Sequence, residues 1–247
     1  MSRKNRTAKT SRRVELGSKG AYEPFSSGDE STYYKKPAPK ARPLEAQTET
    51  QGYYISSILH NDITLGTGPA GTGKTYVATS LACEELDSGR ISKIIITRPA
   101  VEVDEDFGFL PGSLEEKYSP YLQPFMDCFI EKFGKSKTEY LIKSKIIEAR
   151  PLAFMRGSTI SNAWALLDEA QNCTVNQMKM FLTRIGHNAK FIINGDIRQS
   201  DIKGCISGLE DAVSRFDGMN RVGVVEFTRK DCVRHGLTGE IISRYED

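Results

Sequence analysis

Eight consecutive residues, Gly68-Pro69-Ala70-Gly71-Thr72-Gly73-Lys74-Thr75, fit the pattern GxxxxGK[ST], whose chemistry is the binding of phosphate groups. Phosphate oxygens crowd such a loop. Glycine is therefore needed at 68, 71 and 73, where backbone N–H groups approach the anion and the dihedrals are closed to other residues. Lys74 is placed to set its ammonium on the β- and γ-phosphates of a nucleoside triphosphate, and Thr75 to offer its hydroxyl to Mg²⁺. Pro69, Ala70 and Thr72 complete the expected nucleotide-binding positions. The competing reading is a flexible glycine turn, and the flanks count against it. Ile63-Thr64-Leu65 reads as a strand before the loop. After it, Val77, Leu81 and Glu85-Leu86 set a helical period that Ser88-Gly89 ends. A helix there points its positive end at the nucleotide.

A cradle for phosphates does not by itself cleave them. Ala163-Trp164-Ala165-Leu166-Leu167 reads as a buried parallel strand and ends in Asp168-Glu169, on the edge where open α/β sheets bind ligands. Asp168 suits Mg²⁺ coordination, directly or through water, and Glu169 is the candidate to orient and deprotonate the attacking water. The competing reading is an ordinary acidic pair favouring a helix dipole. Thr174-Val175-Asn176-Gln177 then opens a helix with a capping box. A further strand, Lys190-Phe191-Ile192-Ile193, ends in Asn194-Gly195-Asp196, with Gln199 close behind. Asp196 and Gln199 are candidates to reach the γ-phosphate or the water.

These positions need a scaffold. Strands at Lys93–Ile96 and Arg221–Val225 bring the expected total to five, alternating with helices, which predicts an α/β fold with a parallel sheet covered on both faces. The chain has 247 residues, 38% hydrophobic and 27% charged, enough for a core without staples. The five cysteines form no CxxC pair, and no histidine pair has metal-ligand spacing. No apolar run approaches the roughly 18 residues of a membrane span, and no secretory signal opens the chain. The expectation is a cytoplasmic protein with no membrane partner. Net charge is only +2, but the first 50 residues hold 11 Lys/Arg against 6 Asp/Glu. Residues 1–49 therefore read as a basic tail and linker, disordered through about residue 46, and 50–247 as one P-loop domain. The tail either neutralises nucleic-acid phosphates or is a solvated segment, and charge alone leaves both open.

The sequence resembles the PhoH-like family of P-loop ATPases, whose nucleotide core is similar to superfamily 1 helicases. The resemblance spans about 51–247 and is carried by Gly68–Thr75, Thr97-Arg98-Pro99, Gly108-Phe109-Leu110-Pro111-Gly112, Pro120-Tyr121-Leu122, Met155-Arg156-Gly157, Leu167-Asp168-Glu169-Ala170-Gln171-Asn172, Met178–Gly186, Gly195-Asp196, Ser207-Gly208-Leu209 and Val233-Arg234-His235. It implies a single RecA-like domain, ATP binding and Mg²⁺-dependent hydrolysis, an association with phosphate starvation, RNA-related activity and hexameric rings. By matching, Gln199 falls on a γ-phosphate sensor and Gln51 on an adenine-reading glutamine. Some relatives carry an N-terminal nuclease domain, which the first 50 residues here do not hold, so no ribonuclease activity is expected. Ser158 stands where the family commonly has Arg, which weakens the nucleic-acid expectation there. Cys232 replaces a usual Val and Ile202-Lys203 a more apolar pair.

Hydrolysis builds charge that a trans arginine can meet. Arg184 and Arg234 are the catalytic candidates for this role, with Arg215 behind them, supplied by a neighbouring subunit of a homo-oligomer. Surface salt bridges are the competing reading for each. Residues 101–133 form an acidic, aromatic insertion, read as a subunit contact or a lid, with its aromatics in the core either way. RNA or single-stranded DNA is expected to meet basic groups at the strands' C-terminal side, with Arg98 and Arg156 foremost and Lys143, Lys145 and Arg150 available. The leading reading is a nucleic-acid-coupled ATPase. A nucleotide-switched, oligomeric binding or scaffolding protein with slow turnover is the alternative, and a small-molecule kinase a third.

Overall fold

Short apolar runs bounded by polar residues bury both their faces only when helices cover both sides of a parallel sheet. The computed structural model, which describes residues 43–99, 114–202, 204, 206–233 and 244, has that α/β architecture. Its strands are β1 (Ile63–Thr67), β2 (Lys93–Thr97), β3 (Ile147–Ala149), β4 (Ala163–Leu167), β5 (Ala189–Gly195) and β6 (Val222–Glu226). They form one sheet in the order β3-β2-β4-β5-β1-β6, and each pairing is parallel. The helices are α1 (Glu49–His60), α2 (Lys74–Asp87), α3 (Leu114–Phe133), α4 (Lys135–Lys143), α5 (Val175–Leu182) and α6 (Gly208–Phe216).

Strand alternation divides the core in two. Ile94, Ile96, Trp164, Leu166 and Ile192 face a layer built by Tyr54 and Ile58 of α1, Val77 and Leu81 of α2, Phe125 and Phe129 of α3 and Leu141 of α4. Ile95, Ala165, Leu167, Phe191 and Ile193 face the other layer, with Met178 and Phe181 of α5 and Leu209 and Ala212 of α6. All five residues of β4 are buried, as a central strand of such a sheet requires. Phe125 and Phe129, four apart on α3, stack at 6.5 Å between centroids, so these two aromatics of the insertion enter the core. Cys83, Cys128 and Cys173 are buried free thiols.

The structure corrects the sequence reading in three places. The sheet has a further strand, β3, at its edge. Lys143 ends α4, and Lys145 lies two residues before the start of β3, so both lie at the amino-terminal edge of the sheet and not at the carboxyl edge. Leu44, in the stretch expected to be disordered, packs against the α1–α4 layer. Residues 1–42, most of the expected tail, lie outside the described residues, as do residue 100 and 101–113 of the insertion. Among the described residues no helix is long and apolar enough to cross a membrane.

A candidate nucleotide site at the strand ends

Strand register builds the site. Thr67 of β1 pairs with Gly195 of β5, Ile193 of β5 with Leu167 of β4, and Leu167 with Thr97 of β2. Four neighbouring strands thus end close together along one edge. The residue after each end, Gly68, Arg98, Asp168 and Asp196, lines a single cleft of about 360 Å³. Glu169, Gly195 and Gln199 share its wall, as do Lys74, Thr75 and Tyr76 of α2 and Pro124 of α3.

The loop between β1 and α2 has the geometry its glycines permit. Gly68, Gly71 and Gly73 have φ of 129°, 83° and 84°. At Gly68 a Cβ would lie 2.2 Å from the backbone oxygen of Phe227, so neither the dihedral nor the space admits a side chain. Gly73 caps α2 without a side-chain hydrogen bond, leaving the first-turn N–H groups to an anion. Lys74 is buried, and its Nζ donates to the backbone oxygens of Gly68 (2.6 Å) and Pro69 (2.7 Å) and to Thr72 Oγ1 (3.2 Å). Gln51 braces the loop from behind. It is 3% exposed and its Nε2 donates to the Thr72 oxygen at 3.0 Å, while its Oε1 accepts from the Gln47 N–H. Base reading by Gln51 would have to use an amide already engaged in this way.

On the facing wall, Thr75 Oγ1 donates to Asp168 Oδ1 at 3.1 Å. Burial pushes the Asp168 carboxyl above its usual range; Arg98 opposes this, Glu169 adds to it, and hydrogen bonds from Thr75 and the backbone oppose it. Two adjacent oxygens of this kind suit a hard divalent cation such as Mg²⁺, which takes one or two protein oxygens beside phosphate and water. Among the described residues no group of three or more His, Cys, Asp or Glu converges to hold a metal ion. Glu169 sits in the left-handed region at φ 54°, uncommon for a residue with a side chain and frequent at working sites. Its Oε1 lies 3.1 Å from Arg98 Nη2, and its Oε2 accepts from Gln171 Nε2 at 2.7 Å. Gln171 Oε1 in turn accepts from the Asp196 N–H at 3.1 Å, joining the ends of β4 and β5.

The sequence-derived candidates divide by place. Gly68, Ala70, Gly71, Gly73, Lys74, Thr75, Arg98, Asp168, Glu169 and Gln199 meet in the cleft. Pro69 and Thr72 belong to the same loop through their bonds to Lys74. Arg156 is exposed, following the 3-10 turn Leu152–Met155. Arg184 is not in the cleft. Its Nε donates to the Met180 oxygen, and its own carbonyl accepts from Ile160, just before β4, which puts it at the opposite edge of the sheet. Arg215 pairs with Asp211 on α6. Arg234 lies outside the described residues. Tyr76 and Gln171 are cleft or cleft-bracing residues that the sequence reading gave no role; the only signal was their position beside Thr75 and inside the Asp-Glu-Ala-Gln string.

A family profile described as PhoH-like protein matches residues 43–246. The PhoH-like protein of Bacillus subtilis (strain 168) is 44% identical over 234 residues, covering 94% of this chain and 73% of that protein. Protein PhoH of Escherichia coli (strain K12) is 44% identical over 206 residues, 82% of this chain and 58% of the relative. The PhoH-like protein of Mycobacterium tuberculosis (strain ATCC 25618 / H37Rv) is 43% identical over 207 residues, 83% of this chain and 59% of the relative. The chain thus spans just under three-fifths of the length of the last two. Among solved structures, the Pif1 helicase from Candida albicans aligns with a TM-score of 0.36 and 14% identity, covering 76% of this chain and 42% of that one. The UvsW helicase from bacteriophage T4 aligns with a TM-score of 0.40 and 14% identity, covering 76% and 62%. By the reach of the profile and the identity to these relatives, the chain belongs to the PhoH-like protein family.

Proposed function

We propose that this chain is a Mg²⁺-dependent ATPase, coupled to RNA or single-stranded DNA, that works in the cytoplasm as a homo-oligomer. The observation that carries the reading is the convergence, in one cleft, of an anion-binding loop with Thr75, Asp168 and Glu169. Lys74 turns from the loop carbonyls to the β- and γ-phosphates. Thr75 and Asp168 would hold Mg²⁺, which would supply positive charge against the charge building on those phosphates. Glu169 accepts the proton of the attacking water, and Gln199, exposed on the 3-10 turn Ile197–Gln199 at the rim, senses the terminal phosphate. Gln51 fixes the shape of the loop beside the base. The nucleic-acid arm rests on the basic first 50 residues and on exposed Arg156. Arg184 and Arg215 lie away from the cleft of their own chain, so either would act on a neighbour's cleft, in a ring that the family resemblance makes hexameric.

The test is steady-state phosphate release from ATP with Mg²⁺, with and without single-stranded RNA. RNA is expected to stimulate the wild type, and Lys74→Ala to lower turnover by about two to three orders of magnitude. If Lys74-dependent nucleotide binding comes with negligible turnover in either condition, the reading gives way to a nucleotide-switched scaffolding protein.

A further inference from the structure

The carboxylate assigned to the attacking water is doubly engaged. Arg98 holds Glu169 Oε1 and Gln171 holds Oε2, so both oxygens already accept from protein donors. Two of the carboxylate's roughly four lone-pair sites are thereby taken, and an attacking water competes with these donors for the same oxygens. The two donors differ in how easily they can leave. Gln171 is 2% exposed and pinned at its far end by the Asp196 N–H. Arg98, the first residue after β2, has a side chain that is 26% exposed and lines the cleft, and its partner Glu169 is 46% exposed. An ion pair that open to solvent is weak and readily exchanged. A phosphate carries more charge than a carboxylate and matches the planar fork of a guanidinium with two oxygens.

We propose that Arg98 is an exchange residue: the γ-phosphate of a nucleoside triphosphate in the cleft takes its guanidinium from Glu169, so that Glu169 Oε1 is left to water alone when a triphosphate is bound. This rests on the nucleotide reading given above. A backbone phosphate of a nucleic acid offers the same chemistry from outside. The γ-phosphate is favoured because Arg98 shares its cleft with Lys74, Thr75 and Asp168. No covalent step is involved. One ion pair is traded for another, and Glu169 keeps its bond to Gln171 while one oxygen is released. Arg98 thereby becomes a substrate-contacting residue within the chain, separate from any arginine that a neighbour supplies.

Calorimetric titration of the full chain with Mg²⁺ and either ADP or the β,γ-imido analogue of ATP tests this without hydrolysis. Arg98→Ala is expected to lose about ten- to a hundredfold in affinity for the triphosphate analogue, the worth of a charge-assisted bond, while ADP binding stays at the wild-type level and certifies the fold. Glu169→Gln, which removes the competing charge, is expected to tighten the analogue a few-fold. In the double variant that gain should vanish, because no guanidinium remains to be released. A triphosphate preference unchanged in Arg98→Ala overturns the proposal, and so does a Glu169→Gln gain that persists without Arg98. Weaker binding of single-stranded RNA by Arg98→Ala, with nucleotide preference intact, also overturns it and makes Arg98 an external contact. If the wild type binds neither nucleotide, it is the nucleotide reading itself that has failed, whereas intact ADP binding without the shift in preference removes the exchange alone.

Discussion

Asp168 is 8% exposed, and its burial raises the pKa of the carboxyl despite the opposing charge of Arg98. A raised carboxyl binds more protons in the folded than in the unfolded chain. Between the ordinary carboxylate range and the raised value, stability therefore falls as pH rises, and above that window the full penalty of a buried charge is present. Asp168→Asn keeps an oxygen that can accept from the Thr75 hydroxyl and removes the charge. In EDTA at pH 7.5 this variant is expected to melt higher than the wild type, and the advantage should shrink as pH falls through the window toward about 4, the ordinary range of an aspartate. Mg²⁺-dependent phosphate release should be lost at the same time. Scanning calorimetry at several pH values, beside the release assay, checks both. An Asn variant less stable than the wild type at pH 7.5 would show that the carboxylate is better satisfied by its neighbours than its burial implies. Lys74, Thr75 and Asp168, which meet in the cleft, could be picked out in the sequence because their candidacy rests on residue type and a short spacing. The engagement of Glu169 by Arg98 and Gln171 could not, since it depends on how β2, β4 and β5 are registered.

Among the elements, α1 shows how a distant contact stiffens the loop. Tyr54 is fully buried, stands edge-on to Phe227 at 5.3 Å between centroids, and donates its hydroxyl to Asn194 Oδ1 at 2.5 Å, across 140 residues of sequence. Asn194 is 3% exposed and is the second-last residue of β5, just before Gly195 and Asp196, so α1 grips the strand that carries one wall of the cleft. Tyr54→Phe would leave a buried carbonyl oxygen without that donor, at an expected cost of about 1–3 kcal/mol. Its neighbour Tyr53 is 63% exposed and, among the described residues, donates its hydroxyl to Glu49 on the same helix, so Tyr53→Phe should change stability by less than about 0.5 kcal/mol. Urea unfolding of the two variants side by side makes the comparison, and equal losses would remove the buried bond as an anchor. Elements whose whole signal lies in one stretch of chain were legible in advance. The capping box of α5 is one: Thr174 Oγ1 accepts from the Gln177 N–H and Gln177 Oε1 from the Thr174 N–H. The end of α2 at Ser88, with Gly89 at φ 73°, is another. Strand β3 was not legible, because three residues at a sheet edge, with Ile147 buried and Glu148 paired to Lys93, leave no alternation to read. The tie between Tyr54 and Asn194 was hidden for the opposite reason, being wholly long-range.

At the scale of the whole molecule, the two edges of the sheet bear on how many chains make a site. The candidate nucleotide cleft occupies the carboxyl edge, and Arg184 sits at the amino edge, where its guanidinium bonds to the Met180 and Ser158 oxygens and the Thr183 hydroxyl. No rotamer carries a side chain through the sheet, so an Arg184 that stabilises the transferring phosphoryl group does so in another copy. Head-to-tail packing, with the amino edge of one chain on the carboxyl edge of the next, is a heterologous contact and closes into a ring when the rotation allows. In that arrangement Lys74 and Arg184 of one chain serve different sites. Lys74→Ala and Arg184→Ala should each be inactive alone, lower by about two to three orders of magnitude. Coexpressed in equal amounts, they should recover roughly a quarter of wild-type turnover, because one site in four then pairs an intact loop with an intact neighbour. Wild-type turnover per chain should also fall on dilution. Full activity of Arg184→Ala alone removes this residue from the role, and the same pairing with Arg234→Ala in its place then tests the other candidate. A rate per chain independent of concentration, in a sample that sediments as a monomer, would instead place all the catalytic charge within one cleft and leave Arg98 to carry it.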